Sequence, residues 1–249
     1  SQVSYYPWLV DDLLPSMRID LHRSIVFMFT IVKLPPEIIR YDDGQRCLVM
    51  RRSLMEDVPL LIEGVRDSLS ELKNFMPWAH FTNTLDSQSS RCQGLIGSWD
   101  KGQEFCFNLF LRQTDGTSRF VGCIGLHPRC LTSHGLEIGY WVRSDTAGKG
   151  ICTLAVQMLT LAGFQVMGLK RLQVGCDIMN IGSRRVIEKT GFHHEGIQRN
   201  MGEVNPPSEV IKNGWLGSGD HHCYALIPED LTELNWVKKI EQYVQFESL

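Results

Sequence analysis

The chain has 249 residues, of which 43% are hydrophobic and 21% are charged, and its formal net charge is −3. This is an ordinary globular composition, and the length allows one large domain or one domain with terminal extensions. The slightly acidic balance argues against nucleic-acid binding as the main function, so we expect no nucleic-acid partner.

The cysteines and the apolar runs indicate a cytoplasmic protein. None of the eight cysteines belongs to a Cys-x-x-Cys pair, and several fall inside apolar patterns, as reduced core thiols do. We therefore expect neither a disulfide framework nor a zinc site. The longest apolar run near the start, Ile25 to Val32, is too short to span a bilayer and predicts a buried strand. No membrane association is expected.

The start of the chain is predicted to contain an N-terminal extension followed by the main domain. Residues 1–46 predict an N-terminal extension that packs on the core, and the main domain is expected to open with an apolar strand, CLVMRR, at residue 47. Asp57 and Pro59 are typical of a helix start, and a second short helix is predicted near Glu71.

Three strands are predicted in the middle of the chain. Thr114-Asp115-Gly116 separates two apolar segments between residues 103 and 127, and Asp-Gly in that position predicts a hairpin. The segment LEIGYWV, residues 136–142, predicts the third strand.

Helices and strands alternate in the second half. Apolar positions after Gly150 step by three and four, which predicts a helix to about Met167. A strand over 171–177, a helix from Ile181 to Thr190 and a strand from residue 221 follow. Strands that meander first and then alternate with helices indicate a mixed α+β sheet.

Residues 228–249 predict one amphipathic helix. Its apolar face would consist of Leu231, Leu234, Val237, Ile240 and Val244. We expect the two terminal segments either to pack on each other or to build a homodimer interface.

The turn before the first of these helices carries the clearest functional signal. Gly148-Lys149-Gly150 would present free backbone N–H groups at a helix N-terminus, which favours a phosphate or pyrophosphate. A P-loop does not fit, because Arg143 replaces its first glycine and Gly150 follows the lysine. A dinucleotide-binding turn does not fit either, because Thr153 replaces its third glycine. Coenzyme A remains, against a plain strand-to-helix turn.

Several segments together with this turn resemble the GNAT superfamily of N-acetyltransferases, in particular its Rim-type, ribosomal-protein-alanine N-acetyltransferase-like branch. They span about residues 37–227, in the order of the family and with its spacing up to residue 196. The segments are LVMRRSLMEDVPLL (48–61), FMPWA (75–79), GLEIGYWV (135–142), GKGICTLA (148–155), DIMNIGSRRVIEKTGF (177–192), EG (195–196) and YAL (224–226).

The resemblance implies an α+β fold with a mixed, largely antiparallel central sheet flanked by helices, including one splayed strand. Residues 47–227 would form the acetyltransferase domain. The enzyme would move acetyl from acetyl-CoA to a primary amine by direct attack in a ternary complex, without a metal. The acceptor would be a protein N-terminal α-amine or a small aminoacyl or amine compound. The alternative is a non-catalytic acyl-CoA-binding module that serves a partner protein.

The resemblance also assigns acetyl-CoA to particular residues. The backbone N–H groups expected to bind the pyrophosphate belong to Gly148, Lys149, Gly150 and Ile151. The residues expected to line the pantetheine are Tyr140, Trp141 and Val142. The Thr153 hydroxyl would lie near the pyrophosphate, Asn180 would lie near the cofactor arm, and the Val142 amide would polarise the thioester carbonyl. Asp145 stands where many members carry Arg or Gln, which implies a modest loss of phosphate affinity.

Catalytic roles follow from the same resemblance. Ser183 would protonate the leaving thiolate, with a helix N-cap serine as the alternative interpretation. The base would be Glu203, which lies one residue beyond the family position, or Glu137 on the central strand. For either glutamate the alternative is a solvated or salt-bridged carboxylate.

Two remaining features lie near the predicted site. Residues 200–220 form a long irregular segment with Pro206-Pro207, which predicts a substrate loop or lid in which Trp215 either grips substrate or anchors the loop. The pairs His193-His194 and His221-His222 are not expected to bind metal, because adjacent strand residues point to opposite faces.

Overall fold

The computed structural model describes residues 33–80, 83–128, 134–201 and 216–248. In these ranges nine strands form one sheet, in the order β7-β8-β6-β5-β4-β3-β2-β1-β9. The strands are β1 (Ile38–Asp42), β2 (Cys47–Arg52), β3 (Phe105–Arg112), β4 (Ser118–His127), β5 (Gly135–Val142), β6 (Arg171–Asp177), β7 (His193–Gln198), β8 (His221–Leu226) and β9 (Val244–Glu247).

Neighbouring strands are antiparallel except for β5 and β6, which run parallel. The helices are α1 (Val58–Asp67), α2 (Leu69–Leu72), α3 (Leu85–Asp100), α4 (Ile151–Leu161), α5 (Ile181–Lys189) and α6 (Asn235–Ile240). A π-helical turn, Ala162–Val166, extends α4. This architecture confirms the predicted mixed, largely antiparallel α+β sheet.

Most predicted elements are confirmed, and one helix was missed. The hairpin around Asp115-Gly116 is β3 and β4, and the predicted strands and helices between residues 135 and 191 are present. Helix α3 was not predicted, since it is largely polar and contains Gly94 and Gly97. Its only clear sequence signal is Thr84, whose hydroxyl accepts a hydrogen bond from the N–H of Ser87 at 3.3 Å. The strand predicted at Ile25 to Val32 lies outside the described residues.

Both terminal segments contribute strands to the sheet. Strand β1, inside the predicted N-terminal extension, pairs with β2, so the sheet begins before residue 47. The single helix predicted over 228–249 is wrong: a 3₁₀ turn (Pro228–Thr232) and α6 are followed by β9, which pairs with β1. Val244 therefore lies in a strand. Residues 244–247 alternate apolar and polar side chains, and the edge of β1 offers unpaired backbone groups for such a segment.

The two faces of the sheet bury different apolar layers. Alternate residues of β5 show the division: Ile138 packs in the layer that contains α4, whereas Trp141 packs in the layer beneath α1. We call these the α4 face and the α1 face. None of the helices within the described ranges is long and apolar enough to cross a membrane.

The position of β5 depends on a close approach to β4. Gly122 pairs with Val142 and has φ +149°, and a Cβ there would overlap the carbonyl oxygen of Trp141 and lie 2.7 Å from the Cα of Val142. Only glycine fits this backbone conformation without strain.

We expect Gly122→Ala to lower the free energy of unfolding by about 2–4 kcal/mol, through backbone strain and overpacking. Urea denaturation measures the loss. Gly94→Ala is the matched control, because Gly94 is an exposed helix residue with no atom near its Cβ position. That variant should gain up to about 1 kcal/mol. Equal stability of the two variants would contradict this account of β5.

Candidate active site

Strands β5 and β6 part after a short stretch of pairing. Their partners are Gly135–Glu137 on β5 and Arg171–Gln173 on β6. Strand β5 nevertheless continues along β4 to Val142, and β6 continues along β8 to Asp177. A wedge-shaped cleft therefore opens between the C-terminal halves of two parallel strands. This is the splayed strand that the family resemblance implies.

The edge of β5 that borders the cleft presents free backbone groups. The N–H of Arg143 donates to the carbonyl of Val121 at 2.8 Å. Hydrogen-bonded pairs alternate in an antiparallel ladder, so Trp141 also bonds to β4, and the N–H groups of Tyr140 and Val142 point into the cleft. The side chain of Trp141 is buried on the α1 face, 6.0 Å from the ring of Phe120. Trp141 thus contributes no side chain to the cleft.

The cleft leads directly to the N-terminus of α4. Gly148 and Gly150 have left-handed φ angles of 76° and 78°, a conformation that favours glycine. Gly150 is the N-cap of α4 and has no side chain, so the N-cap residue supplies no side-chain acceptor to the first N–H groups of the helix. Gly148 and Gly150 are exposed, as is Lys149, and Thr153 is half-buried just inside the helix.

A buried arginine fixes this turn to α1. The guanidinium of Arg143 donates to Glu63 at 3.0 Å and to Asp67 at 2.7 Å. Asp145 is paired with Arg119, which holds the pKa of its carboxyl below its usual range. The acidic residue that stands in place of the family's Arg or Gln is therefore charge-compensated within the chain.

Three cations lie around the same helix end and form no salt bridge with a described carboxylate: Arg46, Lys149 and Lys189. Lys149 is nevertheless near enough to Asp145 to help lower the pKa of that carboxyl. The guanidinium Nη1 of Arg46 lies 3.7 Å from the point that a Cβ on Gly150 would occupy. Arg46 and Lys189 line an open groove of about 330 Å³ together with Thr153 and Gln157 of α4. Arg46 belongs to the β1–β2 turn, where its N–H donates to Asp43 at 2.7 Å. Arg46 gives no signal in the sequence, because nothing local links that turn to Gly150.

Helix α5 supplies the opposite wall of the cleft. The side chain of Asn180 accepts a hydrogen bond from the N–H of Ser183 at 3.0 Å and is the N-cap of α5. The cap interpretation of Ser183 is therefore wrong. Its hydroxyl instead lies 2.9 Å from that of Tyr140, which spans the cleft from β5. Burial raises the pKa of the Tyr140 phenol far above its usual value, so it remains protonated.

Only one of the two predicted bases, Glu137, lies within the described residues. Glu137 lies on the α1 face at the closed end of the cleft, where it accepts a hydrogen bond from Gln173 at 3.0 Å. Glu203 and Trp215 lie outside the described residues.

His194 and His222 contact each other at 3.0 Å between their ring nitrogens. Among the described residues, no group of three or more His, Cys, Asp or Glu side chains could hold a metal ion.

Residues 48–193 match the family of the acetyltransferase (GNAT) domain. This is more than half of the chain, and the chain therefore belongs to the GNAT acetyltransferases. The predicted enzyme class, an acetyl-CoA-dependent N-acetyltransferase, is confirmed.

Relatives with this family's activity in their names share substantial sequence. The chain is 33% identical over 150 residues to the probable N-acetyltransferase YjcK of Bacillus subtilis, covering 59% of this chain and 75% of the relative. It is 26% identical over 125 residues to the ribosomal-protein-serine acetyltransferase of Escherichia coli, covering 50% of this chain and 67% of the relative.

Solved structures share the fold. The ribosomal L7/L12 α-N-protein acetyltransferase RimL in complex with coenzyme A superimposes with a TM-score of 0.65 at 21% identity, over 77% of this chain and 98% of that one. Mycobacterium smegmatis RimJ in complex with CoA-disulfide gives a TM-score of 0.68 at 22% identity, over 86% and 100%. The chain therefore shares the fold of these enzymes, and the predicted membership of the GNAT superfamily is confirmed by the family match.

Proposed function

We propose that this chain acetylates the α-amine of a protein N-terminus, by direct attack on acetyl-CoA in a ternary complex. One observation carries the proposal: the open edge of β5 runs into the uncapped N-terminus of α4. The free backbone groups of a strand edge can hydrogen-bond to the amides of the extended pantetheine arm. The free N–H groups of a helix N-terminus can bind a pyrophosphate. The names of the relatives support a protein N-terminus as the acceptor.

The residues around the turn fit the pyrophosphate of acetyl-CoA. The proposed donors are the N–H groups of Gly148, Lys149, Gly150 and Ile151. The ammonium group of Lys149 adds positive charge, and the hydroxyl of Thr153 lies one helix turn inside. Gly148 and Gly150 are left-handed and have no side chains, so the backbone N–H groups stay accessible on the side where the phosphates would bind.

The pantetheine arm would lie along β5 toward the narrow end of the cleft. Tyr140 and Val142 would pair with its amides through their free backbone groups, and the Val142 amide is our proposed donor to the thioester carbonyl. Asn180 uses its side-chain oxygen for the helix cap. The amide nitrogen of that side chain bonds to no described residue and is available to the arm.

The hydroxyl pair of Tyr140 and Ser183 is suited to the departure of the thiolate. The two oxygens are 2.9 Å apart, so the Tyr140 hydroxyl can stay hydrogen-bonded to Ser183 while Ser183 gives its proton to sulfur and regains one from the attacking nitrogen. The family resemblance alone points to Glu203 or Glu137 as the base.

Calorimetric titration with acetyl-CoA, with NAD and ATP as controls, tests the cofactor. Mass spectrometry then follows acetylation of short peptides that begin with Ser or Ala. The matched control is the same peptide with a blocked α-amine and a free lysine. We expect saturable binding of acetyl-CoA alone and acetylation of the free α-amine alone. Tight binding without turnover on any amine would contradict the proposal and favour a non-catalytic acyl-CoA-binding module.

We expect Gly148→Ala to raise the Kd for acetyl-CoA about tenfold or more. A methyl group there strains the left-handed turn and stands among the proposed phosphate donors. Gly168→Ala is the matched control, because Gly168 has φ 72° and also has open space at its Cβ position. Calorimetry should show an unchanged Kd for that control. A similar Kd for both variants would show that the turn does not bind the cofactor.

The groove beside the turn suggests where the nucleotide end of acetyl-CoA binds. Beyond the pyrophosphate the cofactor carries a ribose with a 3′-phosphate, and the groove offers Arg46 and Lys189. We expect Arg46→Gln to weaken acetyl-CoA binding about tenfold by removing a charge-assisted hydrogen bond. The loss should disappear with 3′-dephospho-acetyl-CoA. Lys101→Gln, at the exposed end of α3, is the charge-matched control. An equal loss with both cofactors would place Arg46 elsewhere.

A further inference from the structure

We propose that His127, oriented by Glu104, is the general base that removes the proton from the acceptor amine. The inference rests on the proposed function and concerns a residue that the sequence analysis did not identify. It follows from the position of the imidazole ring, from the hydrogen bond that fixes its tautomer, and from the face on which the cleft is open.

His127 ends β4 and lies on the α1 face. It pairs in register with Glu137, and Gly125 pairs with Gly139 beside it. The ring nitrogen Nε2 lies 2.9 Å from the point that a Cβ on Gly139 would occupy and 3.2 Å from the corresponding point on Gly125. The imidazole therefore lies directly over the backbones of β4 and β5, in space that exists only because both positions lack a side chain.

This places Nε2 at the mouth of the cleft. Gly139 is the second residue of β5 beyond its last pair with β6, Glu137 with Gln173. On the other side of the opening, Gly175 of β6 is exposed and has no side chain to block entry. Tyr140 and Ser183, the hydroxyl pair proposed to protonate the thiolate, lie on the α4 face. An amine that enters from the α1 face therefore meets His127 before it reaches the thioester.

Glu104 determines which ring nitrogen is free. Its carboxylate oxygen Oε1 lies 2.5 Å from Nδ1 of His127. An ionised carboxylate only accepts hydrogen bonds, so Nδ1 carries the proton and Nε2 keeps its lone pair in the neutral ring. Nε2 makes no hydrogen bond with a described residue. A carboxylate that holds an imidazole in this tautomer is the arrangement that makes histidine an effective base.

The proton balance of the reaction is complete with these groups. An ammonium acceptor gives one proton to Nε2 of His127, and its nitrogen lone pair then forms the bond to the thioester carbon. The carbon–sulfur bond breaks with its electron pair on sulfur. The second proton lost by the nitrogen replaces the one that Ser183 gives to the thiolate, and the proton on His127 passes to solvent. The products are the acetylated amine and free coenzyme A.

His127 is better placed than Glu137 for this step. Glu137 lies beside Gln173, where β5 and β6 are still paired, whereas Nε2 of His127 reaches the level at which they have parted. The carboxylates of Glu104 and Glu137 add negative charge near the opening. That charge favours approach of a cationic amine.

The test compares His127→Ala with His193→Ala, whose exposed imidazole lies on β7 outside the proposed site. Steady-state kinetics with acetyl-CoA and an acceptor peptide should show kcat/KM lowered about 10²–10⁴-fold for His127→Ala and unchanged for the control. The Kd for acetyl-CoA should stay within about twofold in both. Added imidazole should restore part of the activity of His127→Ala, which a merely structural role would not allow.

Further variants keep the test decisive. Glu104→Gln should lower kcat more than it raises KM and should alter the pH profile of kcat, since Glu104 acts through His127. If His127→Ala does not fold, His127→Gln keeps a similar size and supplies the same kinetic comparison. Full activity in either His127 variant would overturn the proposal, as would a loss matched by loss of acetyl-CoA binding.

The wild-type enzyme separates the two proposals. If it acetylates no amine, the proposed function fails and the base assignment fails with it. If it is active while His127→Ala keeps its activity and Glu203→Gln loses it, only the assignment to His127 is overturned.

Discussion

The pairing of β5 with β6 ends early, and this creates the cleft between them. Each strand is held on its outer side, β5 by β4 and β6 by β8, and neither has the other as a partner beyond Glu137 and Gln173. Unpaired backbone groups inside a sheet are costly unless something satisfies them. In the proposed function the pantetheine arm satisfies these groups when it lies along β5.

Buried ionic groups hold both walls of the cleft open. Arg143, immediately after β5, is tied to two carboxylates of α1. At the end of β6, the buried carboxylate of Asp177 accepts the N–H groups of Met179, Ser218 and Gly219 at 2.7–3.0 Å. Because Arg143 and Asp177 are buried, losing all of these partners would leave a buried charge unsatisfied, which is strongly destabilising. Through these bonds, segments that are distant in the sequence determine the width of the cleft.

The sequence predicted the elements whose signals lie among neighbouring residues. Alternation along β5 and the spacing of apolar residues in α4 predicted the strand before the turn and the helix after it, and the glycines predicted that backbone N–H groups would be free between them. Helix α3 was missed because its apolar residues are too few for a periodic signal. The end of the chain was misassigned because Val244 continues a helical spacing, while pairing with β1 depends on residues about 200 positions away.

The site residues that were missed depend on contacts between distant segments. Arg46 reaches Gly150 only because β1 and β2 bring their turn beside α4. His127 acquires a role from Glu104, which lies 23 residues earlier, and from two glycines that pair across β4 and β5. In the sequence each is a single polar residue at the end of an apolar strand or in a turn.

Coenzyme A is proposed to occupy the β5–β6 cleft and the N-terminus of α4. Backbone amide NMR during titration with coenzyme A can locate the bound molecule. We expect the largest shifts on Tyr140, Val142 and the amides from Gly148 to Thr153, with small changes along β1 and β9. Shifts confined to other surfaces, or saturable binding that leaves these amides unmoved, would contradict this proposal.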